Sequence, residues 1–93
     1  MPGYFGLVHK DPASDYGISF PDVPGCISAA ATLDEIRSMA AEALTMHLEY
    51  LCDEGKPLPN PSPIEVVAGM EDARDAVAIV LIQVLPNMVE ATA

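Results

Sequence analysis

The spacing of apolar residues along this chain switches from a period of about two to one of about 3.6, then to a short, mostly apolar run, and each switch marks an element. Tyr4 to His9 is rich in β-formers and is followed by the turn residues Asp11-Pro12-Ala13-Ser14-Asp15, which predicts a strand and a hairpin loop. Tyr16 to Phe20 alternates, with Tyr16, Ile18 and Phe20 on one face and Gly17 and Ser19 on the other, as a half-buried strand does. Pro21 ends it. Phe20-Pro21-Asp22-Val23-Pro24-Gly25-Cys26 then reads as a stiff corner, because proline locks φ and glycine permits positive φ. Cys26 to Ala31 predicts a third strand, small on both faces and therefore open to close packing by a helix.

That helix is announced at Thr32, whose hydroxyl caps a free amide while Glu35, three residues on, completes a capping box. Leu33, Ile36, Ala40, Ala43, Leu44, His47, Leu48 and Leu51 recur at helical spacing, with Asp34, Arg37, Ser38, Glu42, Thr45 and Glu49 mostly on the other face. Gly55 is placed as a left-handed cap, giving a helix of about 20 residues and roughly 30 Å. Lys56 to Pro63 carries a proline at every second position, so an extended, stiff connector is expected. Ser62-Pro63-Ile64-Glu65 predicts a single helical turn through Val67, with proline at its first position, before Gly69. Glu71 to Asp75 reads as a charged turn. Ala76 to Leu85 predicts a strand buried on both faces, central in the sheet or at an interface. The expectation is an α+β fold with order β-β-β-α-β, an antiparallel sheet packed on one long helix. Residues 1–86 form the domain and residues 87–93 a loosely docked tail.

Charge narrows the function more than size does. Four basic residues against fourteen acidic ones give a net charge of -10 in 93 residues, a field that repels nucleic-acid phosphates and attracts basic partners. Direct nucleic-acid binding is therefore not expected. Cys26 and Cys52 show no C-x-x-C or Cys/His spacing, which predicts buried free thiols and no metal site. The start lacks a signal peptide's basic and apolar regions, and the run Ala76 to Leu85 falls short of the ~20 residues of a membrane helix, so a cytoplasmic protein with no membrane contact is expected.

Catalysis finds little support. Glu71, Asp72 and Asp75 cluster in a turn instead of projecting from a strand, His47 sits on the apolar helix face, and His9 closes the first strand with no nucleophile beside it. H-E-x-x-H, G-x-S-x-G and phosphate-cradling glycine patterns do not occur. No enzyme activity and no cofactor are expected.

The segments Asp15 to Cys26, Thr32-Leu33-Asp34-Glu35, Ala40-Ala41-Glu42-Ala43-Leu44 and Gly55-Lys56-Pro57-Leu58-Pro59 together resemble the HicB-like antitoxin family over residues 4 to 85. The resemblance implies a partial double-stranded-RNA-binding or ribonuclease-H-like outline. It also implies a protein that neutralises a small basic HicA-type ribonuclease toxin by covering its active site. Many members continue into a helix-turn-helix or ribbon-helix-helix domain, whose helices do not fit after Pro86, so DNA contacts through this chain are not expected.

For such a partner the expected contact surface is Asp11, Asp15 and Asp22 for charge, with Tyr16, Phe20, Pro21 and Pro24 as rigid surface. Tyr16 and Phe20 share a strand face with Ile18 and are also expected mainly in the core. Pro21, Pro24 and Gly25 are expected chiefly to set backbone geometry. An alternative is a stand-alone oligomeric binding module without a toxin. Met39, Met46, Tyr50 and the last strand supply apolar surface that suits a homodimer or higher homo-oligomer in either case.

Overall fold

The computed structural model describes residues 3–84. The domain end at residue 86 and the tail 87–93 lie outside the described residues. Four strands, β1 (Gly3–Lys10), β2 (Tyr16–Ser19), β3 (Ile27–Ala30) and β4 (Ala78–Gln83), form one antiparallel sheet in the order β3-β2-β1-β4. One long helix, α1 (Leu33–Asp53), covers a face of it, and a short helix, α2 (Ile64–Ala68), follows the proline connector. A 3₁₀ turn, Glu71–Ala73, leads to β4.

The local signals act as read. Thr32 Oγ1 accepts the Glu35 amide at 3.1 Å, and its hydroxyl donates to Glu35 Oε1 at 3.0 Å. The Glu35 carboxylate thus engages the cap's hydroxyl, whereas a capping box uses the cap's amide. At the other end Gly55 has φ +70°, its amide reaches the Cys52 carbonyl, and the Lys56 amide reaches that of Leu51, which is the paired bonding of a Schellman motif. The corner between β2 and β3 is two turns in series: the Val23 amide bonds the Phe20 carbonyl, and the Cys26 amide bonds that of Val23. In the second, Pro24 precedes Gly25 at φ +88°, the arrangement a type II turn requires. Pro63 stands at the N-cap of α2, one position before its expected place.

The main core lies between sheet and helix. Tyr4, Val8, Ile18, Phe20, Ile82 and Val84 meet Ile36, Ala40, Leu44 and Leu48, with Val23 and Cys26 closing the corner end. Gly6 fits here because a side chain would collide: a Cβ would stand 2.5 Å from Ile18 Cδ1. Leu7 and Val67 are fully buried yet outside this cluster. Leu7 is on the sheet's other face by alternation. His9, on that same face, donates from Nε2 to the Asp72 carbonyl at 2.9 Å and lies 3.3 Å from Asp75 Oδ1.

Three expectations change. The last strand is an edge among the described residues, not a central one, and Leu81 on its outer face is 45% exposed. Cys52 is exposed while Cys26 is buried, because position 52 lies outside the stripe that faces the sheet. Thr45, assigned to the polar side, is buried, and Leu33, assigned to the apolar side, is exposed in the first turn of α1.

Candidate partner-binding surface

The residues expected to meet a partner separate into two groups at opposite ends of β2. Asp11 and Asp15 are exposed in the β1–β2 loop. Ser14 closes that loop: its amide bonds the Asp11 carbonyl and its Oγ accepts the Asp11 amide. Tyr16 is half-buried beside them, its ring under the Lys10 ammonium at 5.5 Å. At the far end of β2 stand Phe20, Pro21, Asp22 and Pro24. Of these only Pro24 is exposed; Pro21 and Asp22 are half-buried. Phe20 is 3% exposed, so its ring belongs to the core and offers no free contact surface.

Asp22 is turned toward its own chain. Its Oδ2 accepts the Ser62 amide and its Oδ1 the Ser62 hydroxyl, both at 2.7 Å, across 40 residues of sequence. Three positions before Ser62, the Pro59 carbonyl accepts the Tyr4 hydroxyl at 2.6 Å. Burial, with the Asp22 charge adding to it, pushes the Tyr4 phenol above its ordinary pKa. These bonds pin the proline connector to the β2–β3 corner through Asp22 and to β1 through Tyr4. Tyr4, Pro59 and Ser62 carried no sequence signal for this role, since nothing local links positions 4, 22, 59 and 62.

Burial raises the Cys26 thiol above its usual pKa, which suppresses the thiolate that a nucleophile needs. Among the described residues no three His, Cys, Asp or Glu side chains gather closely enough to hold a metal ion, and no helix is long and apolar enough to cross a membrane.

Comparison with known proteins gives a consistent picture. The model of the HicB-like antitoxin of bacterial toxin-antitoxin systems matches residues 4–93. An uncharacterised 14.9 kDa protein of Haemophilus phage HP1 is 38% identical over 66 residues, which is 71% of this chain and 50% of the phage protein. Antitoxin HicB 1 of Photorhabdus laumondii is 33% identical over 49 residues, 53% of this chain and 32% of that one. The chain therefore spans half or less of the curated relatives it matches. Among solved structures, the Burkholderia pseudomallei antitoxin HicB superposes with a TM-score of 0.82 at 29% identity, covering 95% of this chain and 67% of the other. A chain of the HicA3 and HicB3 toxin-antitoxin complex superposes with a TM-score of 0.76 at 26% identity, covering 91% of this chain and 100% of the other.

Proposed function

The chain belongs to the HicB-like antitoxin family, and from that premise we propose that it binds a small basic ribonuclease of the HicA type and masks its active surface. The protein carries no reaction itself. It acts in the cytoplasm, as a homodimer or higher homo-oligomer, through a surface complementary to the toxin's. The observation that carries this reading is the likeness to a chain of a solved toxin-antitoxin complex.

Charge supports it independently. A net charge of -10 raises the encounter rate with a cationic protein, an effect that weakens as salt shortens the Debye length. Exposed Asp11 and Asp15 add to that field, with Tyr16, Pro21 and Pro24 as stiff surface near the two ends of β2. Asp22 and Phe20 hold the corner from within.

The test is co-expression with a HicA-type ribonuclease toxin. Relief of growth arrest together with a complex that copurifies is the expected result. Absence of both rescue and complex would overturn the reading and leave a stand-alone oligomeric module.

A further inference from the structure

We propose that the contact with the basic partner is made by the outer flank of α1 where it borders strand β3, a surface of methionine, tyrosine and isoleucine walled by acids. This rests on the antitoxin reading above and names the surface that serves it. At about 100° per residue, Met39, Ala43, Met46 and Tyr50 fall within about 60° of one another on the helix. They form a stripe about 16 Å long from Met39 to Tyr50. The stripe is left open: Met39 is 44%, Met46 62% and Tyr50 52% exposed. Ile27, the first residue of the edge strand β3, is 71% exposed, and it lines with Ala43, Met46 and His47 a shallow groove of about 380 Å³.

Beside the stripe, on its solvent side, runs a ridge of Glu35, Glu42, Glu49 and Asp53, within about 40° of one another. Glu42, Glu49 and Asp53 have no ion-pair partner among the described residues. Glu35 serves the N-terminal cap, but helix stability does not account for the C-terminal end of the ridge, because Asp53 stands at the helix's negative end, where a cation is favoured and α1 has none in its last turn. Residues that break a local rule in this way mark functional surface. The chemistry defines the occupant. Flexible thioethers adapt to an apolar contact, the acids pair with lysine or arginine around it, and the Tyr50 ring already holds a cation, the Lys56 ammonium at 5.8 Å. The partner is a protein whose apolar contact is rimmed by basic side chains.

Binding kinetics with a HicA-type ribonuclease toxin separates the possibilities. Met39, Glu42 and Met46 are exposed and Glu49 is half-buried, and each variant is first shown by circular dichroism to melt like the wild type. Met39→Ser/Met46→Ser should raise Kd at least about tenfold, mainly through faster dissociation, and Glu42→Lys/Glu49→Lys should do so with slower association as well. Glu65→Gln/Glu71→Gln, at exposed acids of α2 and of the turn before β4, should leave Kd within about threefold, since those acids act only through the long-range field. If the wild type binds and both α1 variants stay within threefold of it, the surface is wrong and the antitoxin reading stands. If the wild type itself does not bind, both fall together.

Discussion

Replacing Asp22 with alanine tests whether this residue serves the fold or a partner. Its carboxylate accepts two hydrogen bonds of 2.7 Å from Ser62, one from the amide and one from the hydroxyl, at a half-buried position. A hydrogen bond to a charged group contributes about 1.5–3 kcal/mol. Water reaches a half-buried site and recovers part of that, so the lower half of the range applies to the pair, about 2 kcal/mol for Asp22→Ala. For a domain of this size that is a fall in Tm of roughly 8–16 °C. Ser62→Ala removes only the hydroxyl bond and should cost about 1 kcal/mol. The double variant should cost clearly less than the two singles combined, because the shared bond is lost only once. Thermal and urea melts by circular dichroism supply all four values, and an unchanged urea slope shows that the variants unfold from equally compact states. An Asp22→Ala protein melting within about 2 °C of the wild type would refute the pinning role. Weak partner binding in such a protein would return Asp22 to the contact surface.

Other substitutions follow from the same coordinates. Gly25→Ala places a side chain at φ +88° without meeting any neighbour closer than His47 Cε1 at 3.8 Å, so backbone strain alone should cost about 1–2 kcal/mol in a melt. Gly6→Ala instead drives a methyl into Ile18 and Phe20, and overpacking of about 1–3 kcal/mol is expected with backbone conformation unchanged. Under native conditions iodoacetamide should alkylate Cys52 and spare Cys26, with the second thiol reacting only in denaturant; equal rates for both would contradict the packing of the corner. The Tyr4 phenol, raised in the folded state, contributes stability that is complete below its unfolded pKa of about 10 and is lost as pH rises through the folded value. Stability should therefore fall more steeply above pH 10 in the wild type than in Tyr4→Phe, and parallel curves would count against burial as the cause.

What was legible in the sequence is what short stretches decide alone. Thr32 with Glu35, Pro24 with Gly25, and Gly55 after Asp53 and Glu54 each set local geometry through bonds within six residues, and each is found where the chain announces it. The alternation of Tyr16, Ile18 and Phe20 likewise names the face that packs under α1. Pairings over long separations leave no such trace. Nothing near Asp22 points to Ser62, and nothing near Tyr4 points to Pro59. A mostly apolar run such as Ala76 to Leu85, interrupted only by Gln83, cannot distinguish a central strand from an edge strand, because both read as β-branched and uncharged. The edge position of β4 comes from the return of the chain through the connector to pair with β1, a topological fact. Cys52 was misplaced for a simpler reason: buried free cysteine is the commoner case, and only its angle on α1 turns it outward.

The candidate contact surface shows the same division within one helix. Ile36, Ala40, Leu44 and Leu48 repeat every four residues and bury against the sheet, so their identities are held by packing. Met39, Glu42, Met46 and Glu49 alternate steps of three and four on the exposed side, where neither helix propensity nor the core dictates a thioether or an acid. Changing the second set costs the fold little, while truncating Ile36, Leu44 or Leu48 to alanine should leave cavities costing about 2–5 kcal/mol each. A single helix can therefore keep its scaffold role fixed while its outer flank is fitted to one basic partner or another.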